Sequence, residues 1–471
     1  MEKKNTWETY SSKQLKELEK INAQYRDFLD NGKTERECID TIVNTIEKSG
    51  YRELESLIKE GAALKTGDKV YSVWMNKSIA MFQIGRKPMT DGMNILGAHI
   101  DSPRLDVKQN PLYEDGGFAY LDTHYYGGVK KYQWVTIPLA IHGVIVKKDG
   151  TCVEINIGEN EDDPVFFVSD LLIHLAQEQL EKKAAKVIEG EALDIIVGNK
   201  PLLIDKKKKK DEKEAGKEAV KAGVLDILKE TYDIHEEDFV SAELEIVPAG
   251  KAREAGFDRS MTLAYGQDDR VCAYTSMQAM LDSDVTDRTM CCILVDKEEI
   301  GSVGATGMQS HFFENAVAEV MNLAGEYSEL NVRRCLAHSC MLSSDVSSAF
   351  DPTYASSFDK KNVAYLGSGM VINKFTGARG KSGSNDANAE YLAHLRHIFD
   401  KAEVNFQTAE LGKVDLGGGG TIAYILALYG MNVIDSGVAV LNMHAPWEAT
   451  SKADVYEAYR GYKAFVEGAS L

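Results

Sequence analysis

MCCILVDKEEIGS, residues 290–302, is an apolar run that ends in charge: six residues suited to a buried strand, then Asp296, Lys297 and the adjacent pair Glu298 and Glu299. Two neighbouring carboxylates at the end of a buried strand are costly unless a cation or a proton holds them. Side chains that follow one another on an extended segment point different ways, so one glutamate can bind a metal while the other faces a water or a substrate. Glu-Glu is also common at solvated helix starts, so the chemical reading depends on the rest of the chain.

Outward from this stretch, strand and helix alternate from about residue 247 onward. Residues 270–281 have a helical pattern, 290–295 a strand, 309–323 a helix, 336–342 a strand, 385–399 and 421–428 helices, 438–442 a strand and 451–466 a closing helix. This predicts an α/β fold with a mixed, mostly parallel sheet flanked by helices. Upstream, apolar residues at three- and four-residue spacing predict helices over 12–29 and 39–46. Residues 70–75, 78–84 and 94–98 read as strands, and the last runs straight into His99-Ile100-Asp101-Ser102-Pro103.

The region between differs in texture. Residues 141–147 and 151–157 flank an Asp-Gly turn and read as a hairpin, and 170–183 reads as a helix. A chain of 471 residues exceeds a single ordinary core. The expectation is a catalytic domain built from 1–105 and 247–471, with an inserted β-rich domain at 106–246.

A formal net charge of −19 argues against nucleic acid or an anionic membrane as partner. The basic run 206–210 is followed at once by Asp211, Glu212 and Glu214 and reads as a solvated loop. Seven cysteines with no C-x-x-C pair fit a reduced, cytoplasmic protein. The first residues lack the apolar core of a signal peptide. The longest uncharged stretch, 416–434, opens on the glycine run 417–420 and reads as a buried core helix rather than a membrane span.

Potential metal ligands stand at the ends of the apolar elements: His99 and Asp101, Asp268 and Asp269, Glu298 and Glu299, Asp345, and His444. In open α/β sheets ligands gather beyond the carboxyl ends of strands, so elements remote in sequence can converge there. Singly, each residue is better read as a helix cap or a hydrogen-bonded surface group. Jointly, two histidines, three carboxylates and a spare glutamate suffice for two zinc-like ions. Two such ions about 3.5–4 Å apart polarise a carbonyl and acidify a shared water, whose proton the spare glutamate can carry.

Five segments carry a family resemblance. GAHIDSPRLDVKQNP at 97–111, YGQDDRV at 265–271, DKEEIGS at 296–302, SSDVSSAFDP at 343–352 and NMHAPWE at 442–448 follow in order along nearly the whole chain. Together they resemble the aspartyl aminopeptidase family of dinuclear metallopeptidases, which includes the vacuolar aminopeptidase I type. The resemblance implies that His99 and Asp345 bind one metal, that Glu299 and His444 bind the other, and that Asp268 bridges them. It further implies that Glu298 is the general base and that Asp101 orients His99. Two divalent ions per subunit are implied, zinc first, with cobalt or manganese as alternatives. The substrates implied are peptides with a free N-terminus, and the assembly is a tetrahedral dodecamer built from dimers joined through the insertion.

The chain departs from the family pattern at two places. Asp269 stands where the family has Asn, which leaves the bridging assignment open between Asp268 and Asp269, with motif register favouring Asp268. The family's basic, Asn-rich specificity stretch is here residues 373–385, where Lys374, Arg379 and Lys381 are candidates to pair with an acidic substrate side chain. Gly418 and Gly419 are candidates for backbone contact with substrate. Asp170 and His174 are candidates for reaching a neighbouring subunit's site. The expected activity is therefore a metal-dependent aminopeptidase. An amide hydrolase acting on N-acyl amino acids and a catalytically silent assembly protein are the alternatives.

Overall fold

The structure, a computed structural model, describes residues 5–202, 218–377 and 380–470. The lysine run 206–210 and the candidate Arg379 lie outside the described residues. The chain divides into two compact units: Met1–Ser102 with Ala252–Met443 and Trp447–Leu471, and Pro103–Lys251 with His444–Pro446. The insertion read from the sequence spans 106–246.

The first unit is built on a nine-stranded sheet. Its strands are β1 (Arg52–Glu53), β2 (Lys69–Trp74), β3 (Ser78–Gln83), β4 (Met93–His99), β5 (Thr289–Val295), β6 (Cys340–Ser344), β7 (Met370–Asn373), β8 (Phe406–Thr408) and β9 (Asn432–Gly437). They lie in the order β1-β2-β3-β5-β4-β6-β9-β7-β8. Five of the eight pairings are parallel, including the central run β5-β4-β6-β9. β4, β5 and β6 are buried along their whole length, which is why their sequences are nearly unbroken apolar runs: helices cover both faces of a parallel sheet.

Successive strand residues divide between those two faces. Leu96, Ala98, Cys292, Leu294, Leu342 and Ile434 pack in one core with residues of the helices Ser12–Asp30, Gln267–Leu281 and Lys452–Gly468. Ile95, Ile293, Val295, Met341 and Val433 pack in a second core with residues of Phe312–Leu323 and Ala423–Ala427. Truncating a residue such as Leu96 in this sandwich costs about 2–5 kcal/mol. Capping fixes where the first helices begin. The Ser11 hydroxyl accepts from the Gln14 amide at 3.3 Å, and the Gln14 side chain accepts from the Ser11 amide at 3.0 Å; Thr34 and Glu37 repeat the device.

The second unit carries a six-stranded antiparallel sheet in the order Cys152–Ile157, Leu139–Val146, Ala242–Pro248, Arg104–Asp115, Phe118–Tyr126, Ile195–Gly198. Its first two strands are the hairpin read from the sequence. Gly150, at φ 88°, supplies the left-handed residue of that turn.

Several elements differ from the sequence reading. Residues 170–183 form no continuous helix, only a turn at Ile173–Leu175 and a four-residue helix Gln177–Leu180. Leu171, Leu172, Ile173 and Leu175 are exposed, so among the described residues no core holds an amphipathic face together. The stretch 416–434 is not one core helix. It holds the short Ala423–Ala427 helix, then Gly430 at φ 85°, then β9 with its β-branched Val433 and Ile434. Residues 336 and 337 close the helix Glu329–Ala337, and the strand begins only at Cys340. Helix 385–399 instead runs Ala389–Lys401, started by the Asn388 side chain accepting from the Tyr391 amide at 2.7 Å.

Candidate metal centre

β4 delivers His99 to the carboxyl edge of the sheet, paired in register with Val295 at the end of β5. Two residues on, fully buried Asp101 takes three contacts at once. Its Oδ1 lies 3.2 Å from His99 Nδ1. Its two oxygens also accept the backbone amides of Glu298 and Glu299, each at 3.1 Å. One carboxylate from before the insertion therefore fixes both an imidazole and the glutamate turn from after it. That turn leaves β5 through Lys297 in the left-handed region, φ 70°. It is backed by Asp296, which accepts from Thr306 Oγ1 at 2.6 Å and Lys297 Nζ at 2.9 Å. Burial, with the charges of Glu35 and Asp101, pushes the Asp296 carboxyl up to about 6.

Asp268 and Asp269 open the Gln267–Leu281 helix with non-helical backbone angles and a cis peptide bond between them. Asp268 is held by its own main chain: its amide donates to Glu448 Oε2 at 3.0 Å and its carbonyl accepts from Ser102 Oγ at 2.6 Å. The neighbouring Gln267 side chain is gripped by the Glu448 carbonyl, Thr450 Oγ1 and Tyr25 OH. Asp345 follows β6, with its amide donating to the Ser436 carbonyl at 2.9 Å. The chain passes so close there that a Cβ on Gly437 would stand 1.7 Å from the Asp345 carbonyl oxygen; only glycine fits.

These elements bring ligand atoms of His99, Asp268 and Asp345 within 4.8 Å of one another. His99 Nε2 is 3.3 Å from Asp268 Oδ1 and 3.9 Å from Glu298 Oε2. Glu299 offers an oxygen within 4.8 Å of Asp268. Six carboxylates, Asp101, Asp268, Asp269, Glu298, Glu299 and Asp345, thus gather around the imidazole of His99. Burial, then repulsion from Asp269 and Asp268, pushes Asp345 well above the ordinary carboxylate range. Burial does the same to Asp269. Burial opposes charge on His99, but Asp101 and Asp268 outweigh it and push the ring well above its ordinary value. A buried group so rich in oxygen donors, with one imidazole nitrogen aimed inward, fits a divalent cation of the zinc class. The Glu298 side chain, 15% exposed against 4% for Asp268, keeps part of its surface toward solvent, as do Glu299 and Asp345.

His444 sits at the His444–Pro446 tip that groups with the second unit, its Nδ1 2.9 Å from the Gly128 carbonyl. Asp170 and His174 also belong to the second unit, where the exposed Asp170 accepts from the Leu171 amide and Gln179 Nε2, both at 2.8 Å. Lys374 and Lys381 are not free cations: both face Asp386, at 4.0 and 2.9 Å. The Gly419 carbonyl accepts from the Gly377 amide at 2.9 Å, which ties the glycine run with Gly418 to the lysine-bearing loop. Sequence reasoning missed Gln267, Glu448, Ser102 and Tyr25. The first three fall inside the quoted motifs, so their signal was present without an assigned role.

Comparison with known proteins gives one answer. Residues 28–466 match the family described as aminopeptidase I zinc metalloprotease (M18). The probable M18 family aminopeptidase 1 of Clostridium acetobutylicum is 63% identical over 465 residues, covering 99% of this chain and 98% of the relative. The crystal structure of an M18 family aminopeptidase from Thermotoga maritima superposes with a TM-score of 0.93 at 44% identity, covering all of both chains. The mApe1 dodecamer of S. cerevisiae shares the fold at a TM-score of 0.74, with 20% identity over 95% of this chain and 96% of that one.

Proposed function

The chain belongs to the aminopeptidase I zinc metalloprotease family, and on that premise we propose how its own residues carry the activity. It is a zinc metalloaminopeptidase, a peptide hydrolase. We propose that two ions per subunit would be held by this chain's residues, one by His99 and Asp345 and the other by Glu299 and His444, with Asp268 serving both. When bound, such ions polarise the scissile carbonyl and acidify a water so that it attacks at neutral pH.

The chain's residues do the rest. Asp101 takes the Nδ1 proton of His99, which turns the Nε2 lone pair toward the ligand cluster and fixes the ring's tautomer. By holding the Glu298 and Glu299 amides, the same carboxylate keeps the glutamate turn in register with that ring. Glu298, whose side chain is partly exposed, takes the proton of the attacking water and returns it to the leaving amine. The observation that carries this reading is the triple contact of Asp101, which keys a ligand and the base to one buried group. Glu298→Gln is the test. Turnover of aminoacyl amides should fall about 10²–10⁴-fold with bound metal unchanged; retained activity at equal metal content would sink the assignment. An N-acylated substrate should not be turned over.

Lys374, Lys381 and Asp386 sum to one positive charge, so acidic N-terminal residues are accepted without being required. The exposed Leu171, Leu172, Ile173, Leu175 and Leu180 of the second unit support a homo-oligomer joined through the insertion, with Asp170 and His174 in the joining segment. The dodecamer named for the yeast protein is the proposed assembly, read by light scattering on the purified protein. Among the described residues no helix is long and apolar enough to cross a membrane. All seven cysteines are free thiols, which supports a cytoplasmic setting.

A further inference from the structure

Asp435 belongs to none of the groups above, yet it lies directly beneath them. It is 2% exposed on β9, paired in register with Ser343 of β6, which in turn pairs with Gly97 of β4. One side-chain step further along those strands, on the same face, stand His99 and Asp345. Asp435 Oδ1 accepts a 2.5 Å hydrogen bond from Thr421 Oγ1. That hydroxyl oxygen also accepts the Ala423 amide at 3.2 Å, so its orientation is fixed from both sides. Asp435 Oδ2 is buried without a hydrogen-bond partner among the described residues. Burying a carboxyl group for one such contact is costly, so the fold alone gives little reason for an acid here.

What Thr421 closes is the glycine run 417–420. Gly417 packs too tightly for any side chain, since a Cβ would stand 1.9 Å from the Leu411 carbonyl, whereas a Cβ on Gly420 would meet nothing within 4 Å. Gly419 holds the Gly377 amide at 2.9 Å, at the base of the loop that carries Lys381. Burial pushes the Asp435 carboxyl up to about 7, and the charge of Glu298 adds to the shift.

We infer that Asp435 is a positioning residue for substrate binding: through Thr421 it fixes the 417–420 run, and through Gly419 the segment 374–377, as one wall against which the substrate's N-terminal residue rests. The inference rests on the aminopeptidase reading of the metal centre. It is tested on the metal-loaded full-length protein with Leu, Asp and Lys aminoacyl p-nitroanilides. Thr421→Val and Thr421→Ala should each raise KM roughly tenfold on all three substrates, with kcat within about twofold. Metal content and melting temperature should stay as in the wild type. Thr421→Ser and Asp435→Asn both keep an O–H···O contact and should stay within about threefold of the wild-type KM. Wild-type KM in both Thr421→Val and Thr421→Ala, or a loss confined to kcat and metal content, would overturn the inference. Failure of the metal-loaded wild type to cleave any of the three would instead fault the catalytic reading on which it rests.

Discussion

The two sides of the proposed site are built to different standards. On the metal side, Asp101, Asp268, Asp269 and their supports Gln267 and Ser102 are buried, and each main-chain turn is held by a named hydrogen bond from a residue far away in sequence. On the specificity side, Lys374, Lys381 and Asp386 are about half exposed and hold one another in a small ion-pair cluster. Buried charged groups bonded this way lose several kcal/mol when one partner goes, whereas exposed pairs contribute about 0–1 kcal/mol. On this proposal the chemistry is anchored, and a preference for one N-terminal residue over another would rest on weakly held contacts.

Substitutions can break that contrast in order of size. Asp268→Asn removes a charge from the proposed bridge, and activity should fall below detection with less than the full metal complement by elemental analysis; full metal content would remove Asp268 from the ligand set. Asp101→Asn should weaken metal binding about 10–100-fold, read by chelator titration, and an unchanged affinity would mean that the triple contact is only structural.

A pH test follows from buried acids away from the ligands. Asp454, held by the Gly367 and Gly369 amides at 2.8 and 2.7 Å, is pushed up by burial to about 8. A carboxyl raised in the folded state binds its proton there more tightly than in the unfolded chain. Its contribution is fully present below the ordinary carboxylate range and is lost as pH rises through about 8. The melting temperature should therefore drop between pH 6 and pH 8, and Asp454→Asn should flatten that drop; an unflattened slope would place the titration elsewhere. Smallest of all, Asp386→Asn should unmask Lys374 and Lys381 and raise kcat/KM for Asp-terminated substrates about threefold relative to Leu. No change would detach this loop from substrate choice.

Much of the anchored side was legible from sequence. His99, Asp268, Glu298, Glu299 and Asp345 each follow an apolar run or open a helix, and a parallel sheet sends such positions to one edge. The supports were less legible. Glu448 and Ser102 act through main-chain atoms of Asp268, a relation that residue type does not encode. Asp435 directly follows an uncharged stretch that reads as helix until Gly430 breaks it. The segment 170–183 has the apolar content of a helix, but among the described residues nothing covers Leu171, Leu172, Ile173 and Leu175. Periodicity tells which face is apolar; it does not tell what covers that face.

β4 carries a consequence for how the protein is made. It lies between β5 and β6, strands that the ribosome completes only long after β4 itself has emerged. Asp101 likewise waits for the amides of Glu298 and Glu299, and Asp345 for the carbonyl of Ser436. An incomplete nascent chain thus has no assembled centre, so the peptidase stays inert beside the unfolded polypeptides that surround its own synthesis.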